Sequence, residues 1–157
     1  MIEKTEGSPP PTHELAIFLL YDPNTNEFLL EERRAKFKGD KMAGFVVVPA
    51  GKLEPEDYLQ GGDPFINALF REAGEEFGVV PESITFLIET EFTTPNQHFY
   101  RSRVFLITRW AGEVVNKEGK HEHEWVPLSE AEDRASLTES KEFIAAAKAR
   151  LNGLNVT

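Results

Sequence analysis

The chain has no cysteine among its 157 residues. That excludes disulfides, thiol nucleophiles and Cys-ligated zinc, and it fits a reducing compartment, so the cytoplasm is the expected location. Basic charge is scarce: 17 Lys and Arg stand against 27 Asp and Glu, a formal net charge of −10. A protein that coats nucleic acid or an anionic membrane needs the opposite balance, so neither a nucleic-acid polymer nor a membrane is an expected partner. A small phosphorylated ligand remains open, because it arrives with divalent cations that acidic side chains can share. No apolar run is long enough to span a bilayer. Residues 1–13 are polar and proline-rich around Ser8-Pro9-Pro10-Pro11, without the basic start and apolar run of a secretory signal. The expectation is a disordered lead-in followed by a single domain over residues 14–157.

What the sequence does have is a dense acidic segment, Arg71-Glu72-Ala73-Gly74-Glu75-Glu76-Phe77-Gly78-Val79. In a helix, Glu72 lies three and four positions from Glu75 and Glu76, so the three carboxylates share a face. Like charges so placed repel unless a cation sits among them. Hard oxygen donors in this arrangement suit Mg2+ or Mn2+, and such an ion commonly bridges to phosphate. The helix is well delimited: Asp63 is an N-cap, Pro64 occupies the first turn, and Gly78 suits a left-handed terminus. Ile66, Leu69, Ala73 and Phe77 form an apolar stripe roughly 120° from the acidic one. Most acidic helix faces are simply solvated. Here Arg71, Gly78 and an upstream glycine loop, Pro49-Ala50-Gly51-Lys52, occur with it.

These residues resemble the Nudix hydrolase signature, G-x5-E-x7-R-E-U-x-E-E-x-G-U, where U is a bulky aliphatic. Arg71 to Val79 matches the second half at every charged and glycine position, with Ala73 a small occupant of the first U. Pro49-Ala50-Gly51-Lys52-Leu53-Glu54 is similar to the family's P-G-G-K-x-E entry, with Ala50 in place of the first glycine, and Leu29 to Arg34 resembles the preceding strand. The first half departs from the pattern. Asp57 stands where the family has Glu, and thirteen residues, 58 to 70, separate it from Arg71 instead of seven. The surplus falls around Tyr58-Leu59-Gln60-Gly61-Gly62-Asp63, and a loop insertion costs little closure entropy. Asp57, Glu54, Glu56 or none of them takes the place of the first Glu.

The coarse pattern is mixed α and β (α+β). Leu15–Leu20 and Phe28–Glu32 flank a turn-rich segment and read as a hairpin. Phe45–Val48, Ile84–Glu91, Phe99–Thr108 and Glu124–Leu128 read as further strands, with Pro127 at an edge or an end. Thr138–Leu151 reads as a capped helix ending before Gly153. This order resembles the Nudix α/β/α sandwich, a mixed β-sheet between the signature helix and a C-terminal helix.

The resemblance implies hydrolysis of a nucleoside diphosphate linked to another group, supported by Mg2+ or Mn2+. It implies Glu72 and Glu76 as leading metal ligands, Glu75 as a further ligand or base, the Ala50 carbonyl as another ligand, and Arg71 as a residue that orients a carboxylate. Acids before the Trp125 strand are candidates to complete the site: Glu118 or Glu122 as ligand or base, with Glu124 also open. Arg33, Arg34 and Lys52 are candidates to meet phosphate or simply to decorate a strand, and Gly51 is a further candidate to bind substrate. Phe37, Phe45, Phe92, Phe99 and Tyr100 are candidates to stack on a base. His121 and His123 alternate and share one face of a strand, a pattern that suggests zinc; without a third ligand at readable spacing they read as lining the solvent edge or the substrate mouth. The compact length resembles MutT-type nucleoside triphosphate pyrophosphohydrolases. ADP-ribose or a nucleotide sugar is the alternative substrate, and a silent ligand-sensing or protein-binding Nudix module is the alternative of another class. Many relatives pair, so a homodimer is a candidate assembly. Isoprenoid diphosphate isomerisation normally uses a cysteine, which this chain lacks.

Overall fold

The computed structural model describes residues 12–156. The expected disordered lead-in therefore lies outside the described residues as far as 11, while Thr12 and His13 already belong to the first strand. In chain order the elements are β1 (Thr12–Asp22), β2 (Glu27–Glu32), β3 (Val46–Val47), β4 (Ala50–Lys52), α1 (Pro55–Leu59), α2 (Pro64–Phe77), β5 (Val80–Thr93), β6 (Phe99–Ala111), β7 (Glu122–Pro127), α3 (Leu128–Arg134) and α4 (Thr138–Val156).

The sheet is mixed. β1 runs parallel to β6 from Thr12↔Phe99 to Leu20↔Ile107, while β5 pairs antiparallel with β6. On its other side β1 pairs antiparallel with β4 at Leu15–Ile17 and with β2 at Tyr21 and Asp22. β2 is in turn flanked by β3 and β7. Side chains alternate across a strand, so each strand serves two cores. Ile17, Leu19, Val104 and Leu106 face one layer with Phe143, Ile144 and Ala147 of α4. Ala16, Phe18, Phe105 and Ile107 face the other with Leu69, Ala73 and Phe77 of α2. The result is an α/β/α sandwich, and α2 lies where its opposite face looks away from the sheet.

The ends of α2 follow from its sequence. The Asp63 carboxylate accepts the Phe65 N–H at 2.8 Å, and Gly78 takes φ +71°, a conformation that disfavours a side chain. Elsewhere the structure adds detail to the sequence pattern. Ala50–Lys52, expected as loop, pairs with β1, and Leu128, expected as strand, opens α3. α4 does not stop before Gly153 but continues to Val156. A helical glycine costs only about 1 kcal/mol against alanine, too little to end the helix by itself. The surplus residues also behave differently from a plain loop. α1 is held by a reciprocal cap between Glu54 and Asp57, and Asn67 Nδ2 donates to the Asp57 and Gly61 carbonyls, both at 2.9 Å.

Candidate active site

The site begins with a steric fit. A Cβ on Gly51 would stand 2.0 Å from Glu72 Cγ, so only glycine lets α2 and β4 approach this closely. Glu72 is thereby laid across the glycine loop. Arg71 then fixes its neighbours: Nη1 donates to Glu72 Oε2 at 2.9 Å and to Glu75 Oε1 at 3.4 Å, and Nη2 donates to the Lys52 carbonyl at 3.0 Å. The rest of the guanidinium grips Asp57, which is 0 % exposed. Burial pushes the Asp57 carboxyl up, but hydrogen bonds from Arg71 and the Glu54 N–H outweigh it, and it titrates below the ordinary Asp range.

The far end of α2 supports a second acidic arm. The Val115 N–H donates to the Phe77 carbonyl and the Lys117 N–H to the Glu76 carbonyl, both at 3.0 Å. Those helix-end carbonyls would otherwise lack partners, and bonding them carries Glu118 to the cleft wall. Asn116 Oδ1 accepts the Gly119 N–H, closing this turn.

Beside these groups lies a buried trio. Glu31 and His123 are cross-strand partners on β2 and β7, and Glu76 reaches them from α2. His123 Nε2 stands 3.6 Å from Glu31 Oε1 and 3.7 Å from Glu76 Oε1. Burial pushes the Glu76 carboxyl up, further raised by Glu31 and opposed by His123. Burial alone would lower the His123 imidazole, yet the two carboxylates carry it up to about 9. His121 is committed elsewhere: its Nδ1 accepts the Arg34 N–H at 3.1 Å, and burial lowers its pKa.

Glu31, Glu72, Glu76, Glu118, His121 and His123 border one cleft of about 480 Å3. Glu72, Glu75, Glu76 and Glu118 are among its lining residues, with Ala50, Gly51, Lys52 and Arg33. Phe37, Phe92, Tyr100, Leu137 and Phe143 line the same cleft. Two loops are stitched over it, since Asn96 Nδ2 donates to Asp40 Oδ1 at 3.0 Å and Asn96 Oδ1 accepts the Lys41 N–H at 3.1 Å. The donor set fits a divalent cation. Its carboxylates are hard oxygen ligands, and Glu76 Oε1 is buried without a hydrogen-bond partner among the described residues.

The sequence pattern of the NUDIX domain family matches residues 11–147, nearly the whole described chain. The chain belongs to this family. Over 115 residues it is 30% identical to the 8-oxo-dGTP diphosphatase of Escherichia coli (strain K12), a match covering 73% of this chain and 80% of that protein. Its fold resembles the MutT NUDIX hydrolase of Burkholderia pseudomallei, with TM-score 0.66, 20% identity, and 87% of this chain and 98% of that one covered. It also resembles the NUDIX domain of Shewanella oneidensis NrtR complexed with ADP ribose, with TM-score 0.67, 14% identity, and 96% and 94% covered. Family and bacterial relative together make the chain a Nudix pyrophosphohydrolase.

Several sequence-derived candidates of this Nudix hydrolase stand apart from the cleft. Glu122 is exposed and pairs with Arg34, on the opposite face of β7 from His123. Glu124 shares that opposite face and pairs with Arg134 at 2.6 Å. The alternation that points His123 inward points both glutamates away. Phe45 does not line the cleft; its carbonyl accepts the Arg33 N–H at 2.8 Å, and Phe99 is likewise outside. Arg71 is 10% exposed and touches carboxylates rather than the cleft. None of Tyr58–Asp63 borders the cleft either. Spacing missed Glu31. The available signal was a carboxylate directly following Phe28-Leu29-Leu30 in a strand buried on both faces.

Proposed function

We propose that this Nudix hydrolase uses Mg2+ or Mn2+ to cleave nucleoside triphosphates into a nucleoside monophosphate and pyrophosphate. The observation that carries this reading is the lining of one cleft, which brings together carboxylates, cations and aromatic rings. Glu72 and Glu76, joined by Glu75, Glu118 and the Ala50 carbonyl, would hold the divalent ion. Such an ion, when bound, neutralises phosphate charge and lowers the pKa of water. Arg71 keeps Glu72 and Glu75 in place so that little reorganisation accompanies reaction. Lys52 and Arg33 supply positive charge to the phosphate chain; Arg33 Nε is buried and has no partner among the described residues. Glu75 is half exposed and held by one long contact to Arg71, which leaves it free to accept the proton of the attacking water. The rings of Phe92 and Tyr100, with centroids 5.7 Å apart, offer a surface for the base. The relative's name, 8-oxo-dGTP diphosphatase, supports a triphosphate. The ADP ribose bound by a structural neighbour makes ADP-ribose the substrate to test against it.

The test is chromatographic analysis of products from normal and oxidised nucleoside triphosphates, ADP-ribose, sugar nucleotides and dinucleoside polyphosphates, with Glu76→Gln as control. Triphosphate turnover that the control lacks is expected. Turnover of ADP-ribose alone would replace the substrate class. Silence across the panel with metal still binding would overturn the catalytic reading in favour of a ligand-sensing Nudix module.

A further inference from the structure

Glu31 is a carboxylate that the proposed hydrolysis does not use, and its burial needs a reason. It is 2 % exposed, and its Oε1 has no hydrogen-bond partner among the described residues. An ionised carboxylate so placed is costly unless it is paired or bound to a metal. Glu31 Oε2 receives only a 3.4 Å contact from Arg33. Oε1 instead points at His123 Nε2, 3.6 Å away, and the imidazole stands 3.7 Å from the equally unpartnered Glu76 Oε1. These separations are long for charge-assisted hydrogen bonds, which close to about 2.7–2.9 Å. They are near the spacing of ligands around a metal: donors about 2.0–2.1 Å from a tetrahedral ion lie roughly 3.3–3.5 Å from each other. The three donor atoms all fall within 4.8 Å of one another.

We propose that Glu31, His123 and Glu76 form a distinct subsite for a divalent first-row transition ion, with the imidazole of His123 as its selective ligand. Two carboxylate oxygens and one imidazole nitrogen suit Mn2+, Co2+ or Zn2+, whereas Mg2+ favours oxygen alone. His123 is fixed for this task. Its ring packs 4.6 Å from that of Phe77, and its strand neighbour Glu31 is held by pairing on both edges of β2. His121 does not contribute, since its Nδ1 is taken by the Arg34 N–H. The subsite rests on the reading of Glu76 as a metal ligand but not on any turnover.

The experiment uses the full chain loaded with Mn2+ and measures electron spin echo modulation. Nitrogen coupling from an imidazole is expected in the unaltered protein and should vanish in His123→Gln. Its absence from the unaltered protein, a result that needs no variant to fold, would overturn the proposal. In parallel, Co2+ and Mg2+ affinities are measured calorimetrically for the unaltered protein, His123→Gln and Glu31→Gln, each checked by circular dichroism. Loss of even an outer-shell partner weakens metal binding about tenfold or more, so at least a tenfold loss of Co2+ affinity is expected in each variant, with Mg2+ affinity changed much less. Equal Co2+ binding by His123→Gln would overturn the subsite. Hydrolysis in Mg2+ is scored separately. Turnover without nitrogen coupling defeats only this inference, and nitrogen coupling without turnover defeats only the proposed hydrolysis.

Discussion

Arg71 and Asp57 meet in a two-point contact, Nε to Oδ1 at 3.2 Å and Nη2 to Oδ2 at 2.9 Å, with the aspartate wholly buried. The other side of the same guanidinium holds Glu72 and Glu75. One cation therefore joins the wall of the fold to the acidic face of α2. Arg71→Ala strands the buried Asp57 charge and should cost about 3–5 kcal/mol in a urea melt. Arg71→Lys keeps a charge but loses the planar fork, so metal affinity should fall more than stability does. A melt within about 1 kcal/mol of the unaltered protein for Arg71→Ala would show that the contact is not a keystone.

Gly51 makes the complementary prediction. Gly51→Ala inserts a methyl into the space of Glu72 Cγ, so Glu72 must swing out. Because a side chain can rotate away where backbone cannot, the fold should survive with a melting temperature near the original. Mg2+ affinity by calorimetry and turnover should both drop sharply, about tenfold or more. Unchanged affinity would mean that Glu72 is not a ligand.

Glu76→Gln separates stability from activity. It replaces a buried, unpartnered carboxylate with a neutral amide, so the metal-free protein should melt at the same or a higher temperature. Turnover should fall about a hundredfold or more, roughly 2.7 kcal/mol of transition-state stabilisation. Retained turnover would remove Glu76 from the catalytic ion.

The buried trio sets a pH dependence whose sign can be worked out. Glu76 and His123 both titrate above their ordinary values of 4.5 and 6.5. The folded state thus holds their protons more tightly, and that stability is present at low pH and lost as pH rises, for His123 through about 9. Asp40 runs the other way. Hydrogen bonds from Asn96 and from the Lys36 and Met42 N–H groups bring it down to about 2, so its contribution is present above 3.8 and lost as pH falls toward 2. Without metal, thermal melts should peak near pH 5 and decline through pH 7 to 9. Millimolar Mg2+ or Mn2+ should flatten the alkaline decline, since binding to the native state alone stabilises it and becomes stronger as the ligands lose protons. A metal-free profile level from pH 5 to 9 would contradict this account.

The readable parts of this chain are those where local chemistry agrees with the fold. The Asp63 cap, Gly78 terminus and apolar stripe delimit α2 because each acts within a turn or two of its neighbours. The Nudix signature places its carboxylates on one face for the same reason. Glu31 was not readable, because its role depends on a register between β2 and β7 that joins residues far apart in sequence. Glu122 and His123 show the same gap at close range. Adjacent residues on a strand face opposite ways, and which one meets the cleft is decided by that pairing. The place of the first signature Glu stayed open among Asp57, Glu54, Glu56 or none, because α1, a helix of one turn, decides which of them turns inward, and it turns Asp57 toward Arg71.

The route from Asp57 to α2 has a further consequence. Asp57 is fastened before the chain departs, and Asp63 caps the helix when it returns, while nothing between 58 and 63 borders the cleft. The contour length of this excursion is therefore uncoupled from the chemistry. It is a stretch where mutational drift can add, remove or rewrite residues, even acquire a binding role of its own, while the carboxylates of α2 register none of it.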